Sequence, residues 1–182
     1  MKKVIAVTGL ILTAALTHAA DTAELTAEAR MQVKAFGGEL KQTVQQGMKA
    51  GGPTAAIPLC NTEAPQIKAR HSQGDWQVAR TSSRVRNPDN VADAWEAEVL
   101  AQFEQRMAAG ESADMMEASR LQDGEFRYMK AIPAGGVCMN CHGEKLTDAV
   151  TSRLHELYPE DQATGYRVGD LRGAFTLRKV IQ

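Results

Sequence analysis

The stretch that decides the fold is the segment 115–132, which reads MMEASRLQDGEFRYMKAI. Its middle contains Asp123-Gly124, a dipeptide typical of two-residue hairpin turns because both positions tolerate a positive φ. Residues 115–122 and 125–132 are therefore predicted to form paired antiparallel strands. In the second strand, alternate residues share one side, namely Phe126, Tyr128, Lys130 and Ile132. We expect this hairpin to lie near the centre of an antiparallel sheet.

Helical periodicity dominates the chain before the hairpin. Apolar residues recur in steps of three and four from Leu25 to Met48, which predicts a long N-terminal helix over about 22–50. Gly37-Gly38 weakens that helix, and Gly51-Gly52-Pro53 ends it. Further helices are predicted over residues 55–70 (with Pro58 and Pro65 as candidate breaks), 92–109 and 148–157, and further strands over 75–86 and 173–180. Helices first and antiparallel strands later indicate a single α+β domain.

Composition places the chain among globular proteins. Of its 182 residues, 43% are hydrophobic and 24% are charged, a balance unlike that of a disordered or membrane-embedded chain. The formal net charge of −1 gives no basic excess, so a nucleic-acid partner is not expected. Aromatic residues make up only 5%, which is thin for a core of this size. We therefore expect another group to add bulk to the core.

The start of the chain has the layout of a secretory signal peptide. Lys2 and Lys3 precede an apolar run over residues 4–16, and small residues lead up to Asp21. The run of about 13 residues is too short to span a bilayer, which needs about 18–20. We predict a signal peptide over residues 1–20, a mature domain over 21–182 in the periplasm, and no membrane span after cleavage. An uncleaved membrane anchor is the alternative.

The strongest chemical signal is the heptapeptide Val137-Cys138-Met139-Asn140-Cys141-His142-Gly143. It contains C-x-x-C-H, the attachment signature of c-type haem. The spacing suits that chemistry because Cys138 and Cys141 can add to the two vinyl groups of haem while His142 binds the iron as the proximal ligand. The export signal agrees with this interpretation, since covalent haem attachment takes place outside the cytoplasm. The sequence therefore predicts one covalently attached haem c.

Three other interpretations of the cysteine pair are weaker. A disulfide across a two-residue spacer is strained and easily reduced. A thioredoxin-like dithiol belongs to a βαβ pattern, which the surrounding sequence does not show. A zinc site needs a fourth ligand beside Cys138, Cys141 and His142, and the chain has no second C-x-x-C.

Cys60 is the third cysteine of the chain and is left over beside the cysteine pair of the motif. In the predicted compartment, free thiols tend to pair or oxidise. One interpretation makes its thiolate the sixth ligand of the iron. The other makes it a buried, inert cysteine that packs as a small apolar side chain. On this reasoning His71, His155 or a methionine would serve equally well as the sixth ligand.

Three arginines, Arg80, Arg84 and Arg86, fall on one side of the strand predicted over residues 75–86. The simpler interpretation is an exposed, charged strand face. The alternative is that these side chains pair with the carboxylates of the haem, which a guanidinium binds through two parallel hydrogen bonds.

Several short blocks resemble those of a known family. They are Ala56-Ile57-Pro58-Leu59-Cys60 with Ala64-Pro65, Arg86-Asn87-Pro88-Asp89-Asn90 with Trp95-Glu96, Ala131-Ile132-Pro133, the cysteine motif itself, and Gly165-Tyr166-Arg167-Val168-Gly169-Asp170-Leu171-Arg172-Gly173-Ala174. Together they resemble the exported mono-haem c-type proteins with a PAS-like fold, a family described as a domain of unknown function. The resemblance covers most of the chain after the predicted signal peptide.

The resemblance implies a fold and a pair of iron ligands. The implied fold is a PAS-like, five-stranded antiparallel sheet flanked by helices, with the haem held against the sheet. The implied ligands are His142 as the proximal residue and Cys60, in its Pro-Leu-Cys context, as the distal residue.

Three functions are compatible with these residues. Electron transfer or redox response is favoured, because two protein ligands leave no open position on the iron for substrate chemistry. A haem-based sensor of a small gas or of redox state is the second, by analogy with PAS-like folds; Cys60 would be displaced and a separate partner would carry the signal. An enzyme acting on peroxide or a nitrogen oxide is disfavoured, since His71 and His155 would be the only free imidazoles in reach. No catalytic residue is predicted, and the sequence does not identify the redox or signalling partner.

Overall fold

Helices and one sheet alternate along the chain in an α+β order, as the sequence patterns predict. The computed structural model describes the backbone of residues 11–181 and the side chains from Thr22 onward. The elements are α1 (Ile11–Gly51), α2 (Pro53–His71), β1 (Trp76–Thr81), α3 (Ala94–Ala108), β2 (Glu117–Gln122), β3 (Glu125–Pro133), α4 (Met139–His142), α5 (Asp148–Leu157) and β4 (Leu171–Val180). Short 3₁₀ turns cover Pro88–Asn90, Ala113–Met115 and Gly136–Cys138.

The predicted signal peptide is only partly covered by the described residues. Residues 1–10 lie outside them, and α1 begins at Ile11. Within the part of the chain that is described, no helix combines the length and apolarity needed to cross a bilayer.

The sheet is antiparallel, with the strand order β1-β4-β3-β2. The hairpin turns at Asp123 and Gly124, which both adopt a positive φ, of 54° and 74°. Its two strands pair as predicted, with Ser119 opposite Tyr128. Of the two hairpin strands, β3 lies inside the sheet and β2 forms an edge. The prediction that the hairpin is near the centre is therefore right for β3 and wrong for β2.

The five strands implied by the resemblance are wrong for this chain, since the described residues contain a four-stranded sheet. All four strands that the residue patterns predict are present, although β1 ends at Thr81 rather than near residue 86. The strand ends there because Ser82 Oγ donates to Arg172 O at 2.9 Å and accepts from Arg84 N at 3.2 Å, contacts that turn the chain away from the sheet. Elsewhere, pairing outside the four strands is limited to single bridges, Ser82 with Val91 and Gly143 with Tyr166.

Both faces of the sheet are covered, so β3 is buried on both sides. Phe126 and Tyr128 point into a core that α1 and α2 complete, where Phe36 is the largest helical side chain. Met129 and Ala131 point into a second core beneath α3. The predicted shared side of Phe126 and Tyr128 is confirmed, and the opposite side is apolar as well because a helix packs there.

Close helix packing explains two glycines of α1. A Cβ on Gly47 would lie 2.5 Å from Ala56 Cα, so this glycine allows α1 and α2 to approach closely. A Cβ on Gly37 would lie 2.7 Å from Phe175 Cζ, where α1 crosses β4. The predicted weak point at Gly37 is thus a contact with the sheet, and α1 continues through it. Helix α2 also continues through Pro58 and Pro65, which the sequence had marked as candidate breaks.

A buried carboxylate fastens α3 to the sheet. Glu96 completes a capping box with Asp93 at the start of α3. Its side chain is 6% exposed, and Oε1 accepts hydrogen bonds from Arg127 Nη2 at 3.1 Å and from Thr176 Oγ1 at 2.7 Å. One acidic side chain therefore joins α3, β3 and β4.

We expect Glu96→Ala to lower the free energy of unfolding by about 3–5 kcal/mol, because it leaves the buried guanidinium of Arg127 without this carboxylate. Glu98, which is exposed on the same helix, is the matched control, and Glu98→Ala should change stability by less than about 0.5 kcal/mol. Urea denaturation followed by circular dichroism measures both. A loss below about 1 kcal/mol for Glu96→Ala would show that the network contributes little.

Candidate haem-attachment site

The cysteine motif occupies a tight turn after β3. Cys138 ends the 3₁₀ turn Gly136–Cys138, and Cys141 and His142 form the end of the short helix α4. Both cysteines are free and half-buried, and Cys138 Sγ accepts a hydrogen bond from Gly135 N at 3.3 Å. Among the described residues, no three His, Cys, Asp or Glu side chains are grouped to hold a metal ion, so the zinc interpretation gains no support from the donor geometry.

A glycine-rich loop, residues 164–170, holds both ends of the motif. At the start, Ala134 N donates to Asp170 O and Gly169 N donates to Ala134 O, each at 2.8 Å. At the end, Tyr166 N donates to His142 O at 2.9 Å and Gly165 N donates to Gly143 O at 3.1 Å. This loop belongs to one of the sequence blocks quoted above, but the sequence alone assigned it no role.

His142 is oriented by a hydrogen bond to the backbone. Its Nδ1–H donates to Ala163 O at 2.6 Å, and its ring stands perpendicular to that of Tyr166 at a centroid distance of 6.2 Å. The pKa of His142 is held well below its ordinary value, mainly because the ring is buried and secondly because Arg172 and Arg86 carry positive charge nearby. The imidazole is therefore neutral, and Nε2 keeps the lone pair that an iron ligand needs.

The fold brings Cys60 to the motif. Cys60 lies in α2, one turn after Ile57, which packs with Cys141 and Tyr158 in a small apolar cluster between α2, α4 and α5. Burial raises the pKa of the Cys60 thiol and of the Cys141 thiol, and the nearby Cys60 adds to the rise at Cys141. The guanidiniums of Arg80 and Arg86 act on the pKa of Cys60 in the opposite direction.

The other candidate ligands have different surroundings. His71 bonds Glu39 Oε2 through Nε2 at 2.7 Å, and its ring lies 5.7 Å from that of Phe36 on α1. His155 is exposed on α5. Met116 and Met129 are buried in the core beneath α3. Of the thiol and imidazole candidates outside the motif, Cys60 is the one that lies one helical turn from a residue packed with Cys141, namely Ile57.

The three predicted arginines do not form an exposed strand face, because β1 ends before two of them and all three are half-buried. Arg86 bonds Asp161 Oδ2 through Nε at 3.1 Å, and its Nη2 donates to Cys141 O at 2.5 Å. Arg84 donates to Thr164 O at 3.0 Å, and its Cζ lies 3.7 Å from the centre of the Tyr166 ring. Arg86 and Arg84 therefore support the motif and its holding loop.

Sequence reasoning missed several residues of the site. Ala163 bonds His142 directly, whereas Asp161 and Arg172 contact residues that support the motif, Arg86 and Tyr166. None of the three was assigned a role. Arg172 carried a usable signal, since it stands in the block that resembles the family. Ala163 carried none, because it contributes only a carbonyl oxygen.

The donor set fits a covalently attached haem. Two free thiols stand three residues apart, and a neutral imidazole follows directly, whose Nε2 has no hydrogen-bond partner among the described residues. A third thiol lies nearby in α2. The hydroxyl of Tyr166, beside His142, is fully buried and has no hydrogen-bond partner in the described part of the chain, which indicates that the site lacks an acceptor.

Comparison with known proteins agrees with these observations. A solved structure, described as the crystal structure of the cyanobacterial heme-protein Tll0287, aligns with a TM-score of 0.60 and 22% sequence identity, over 87% of this chain and 96% of that one. At this identity the likeness shows the fold. No curated protein sequence matches significantly. The family model described as Tll0287-like matches residues 13–179, and the chain therefore belongs to the Tll0287-like family.

Proposed function

We propose that this protein is a periplasmic c-type mono-haem protein that acts in electron transfer or redox response. The observation that carries the proposal is the geometry of the motif: two free thiols three residues apart, and a histidine whose Nδ1–H is bonded to Ala163 O. The related cyanobacterial structure is titled a heme-protein, which supports the same cofactor. The predicted signal peptide over residues 1–20 supports export to the compartment in which haem c is attached.

Four residues would hold the cofactor. Cys138 and Cys141 would attach it covalently, His142 would be the proximal ligand and Cys60 the distal ligand. Haem supplies a one-electron redox centre when bound. The backbone bond from His142 to Ala163 fixes the ring orientation and directs Nε2 away from that carbonyl. Two protein ligands leave no open position for a substrate, which favours electron transfer over catalysis.

The first test is the covalent attachment. Addition of a thiol across a vinyl group loses no atoms, so intact-mass spectrometry should give the cleaved chain plus one haem. The haem should resist acid-acetone extraction. Cys138→Ala combined with Cys141→Ala should remove the covalent haem, whereas Cys60→Ala, the control that also removes a thiol, should keep it. A wild-type protein that carries no haem, or releases it into the organic phase, would contradict the proposal.

The second test concerns Cys60 as the distal ligand. Cys60→Ala should change the ferric absorption and EPR spectra and raise the reduction potential, because a thiolate donor stabilises ferric iron. His71→Ala and His155→Ala are the controls and should leave the spectra unchanged. If Cys60→Ala keeps the wild-type spectrum and potential, another residue binds the iron.

A redox or gas sensor with a separate signalling partner is the second candidate function, and it follows by analogy from the PAS-like fold that the sequence resemblance implies. One observation favours it. An open cavity of about 540 Å³ lies beside the motif, lined among others by Gly143, His155 and Tyr158. Uptake of carbon monoxide by the reduced protein separates the two functions, since a closed site favours simple electron transfer.

A further inference from the structure

Three arginines near the motif, Arg80, Arg84 and Arg172, form no ion pair with any described residue. Asp161 is paired with Arg86 at 3.0 Å, and both side chains are about one-tenth exposed. Arg84 donates a hydrogen bond to Thr164 O and stacks on the ring of Tyr166 instead of pairing with an acid. Arg80 and Arg172 are left, and neither forms an ion pair with any described residue.

The guanidinium of Arg172 uses little of its hydrogen-bonding capacity. Its Nη1 makes two long hydrogen bonds to neutral groups, Ser82 Oγ at 3.3 Å and Arg84 O at 3.4 Å. Its Nε and Nη2 have no hydrogen-bond partner among the described residues, and neither atom is sealed from solvent. Burial lowers the pKa of this guanidinium.

Arg80 has no hydrogen bond at all in the described part of the chain. It lies on β1, half-buried, and its charge acts on Cys60 and Tyr158. Burial lowers its pKa as well. A half-buried cation without an acceptor is costly, so this side chain also indicates an absent anion.

Tyr166 provides an independent observation. Its ring lies 5.3 Å from Arg172 Cζ, and its buried hydroxyl has no acceptor in the described residues. An anion bound by Arg172 would supply that acceptor. The same tyrosine packs against His142, so the missing anion belongs to the haem-attachment site.

We propose that Arg172, with the hydroxyl of Tyr166, and Arg80 bind the two carboxylate side chains of the haem. The inference rests on the proposed function, because it takes the haem itself as the source of the anions. Arg84 has a 3.0 Å hydrogen bond to Thr164 O, so Arg80 and Arg172 are the two guanidiniums that have neither an acid partner nor a short hydrogen bond among the described residues. They match two carboxylates in number and charge. A guanidinium is also the side chain that binds a carboxylate through paired hydrogen bonds.

The test uses the haem-loaded protein and the carboxylate bending bands of its resonance Raman spectrum. Arg80→Gln and Arg172→Gln should each shift one of these bands, because each removes the charged donor of one carboxylate. Arg120→Gln is the matched control, since Arg120 is exposed on the edge strand β2. It should leave both bands in place.

Several outcomes would overturn the assignment. The assignment is overturned if the carboxylate bands of both variants coincide with those of wild type. A lower reduction potential would not rescue it, because the loss of a distant positive charge changes the potential without changing the carboxylate bands. A shift in one variant alone overturns the role of the other arginine. Covalent haem measured by mass in every sample makes this failure distinct from failure of the proposed function, in which wild type itself carries no haem.

Tyr166→Phe keeps the proposal testable if an arginine variant does not fold. In the haem-loaded protein this variant should shift a carboxylate band and lower the denaturation midpoint, because it removes the hydrogen bond that the wild-type hydroxyl donates to the haem carboxylate. If the hydroxyl stays unpartnered, its removal leaves the midpoint unchanged or raises it. That result would overturn the role of Tyr166.

Discussion

The hydrogen bond from His142 Nδ1–H to Ala163 O is the interaction on which the arrangement of the site depends. It fixes the tautomer of a buried imidazole and leaves Nε2 as the atom that faces a ligand. It also requires Ala163 to lie close to the motif, which Arg86 secures by contacting Ala163 O, Cys141 O and Asp161 together. The motif, a short helix of four residues, is therefore positioned by contacts with distant segments rather than by its own stability.

The sheet provides the rigid base for these contacts. Strand β3 is buried on both faces and leads directly into Ala134, which is tied to the 164–170 loop on the way to β4. Helix α2 is packed closely on α1 at Gly47 and carries Cys60 to the same end of the fold. Two elements that are far apart in the chain, the first half of α2 and the turn after β3, thus meet in one apolar cluster that contains Ile57 and Cys141.

Charge is distributed unevenly over the molecule. The chain as a whole has a formal net charge of −1, yet four arginines lie near the motif, namely Arg80, Arg84, Arg86 and Arg172, and Asp161 pairs with Arg86 alone. Such an excess of buried positive charge destabilises a protein unless an anion compensates it. A cofactor that carries two carboxylates meets this requirement, and it also adds the bulk that the 5% aromatic content does not supply.

Local patterns were enough to predict most of the elements. The Asp123-Gly124 turn, the periodicity from Leu25 to Met48, the helix end at Gly51 and helix α5 depend on interactions within a few residues, which a sequence displays directly. The residue patterns also predicted four strands, and the fifth entered only through the resemblance. The C-x-x-C-H spacing belongs to the same class, because its chemistry lies within five consecutive residues.

Only the tertiary structure decided how distant residues meet. Nothing local shows that Cys60 approaches Cys141, that Glu96 joins α3 to two strands, or that Arg172 lacks a partner. The arginines on the predicted strand show the reason, because Arg84 and Arg86 leave the sheet once Ser82 bonds to the distant Arg172 carbonyl. The local sequence of a segment determines which helix or strand it can form. Its hydrogen-bond partners are decided by tertiary packing, because buried polar groups must bond to the groups that packing places beside them.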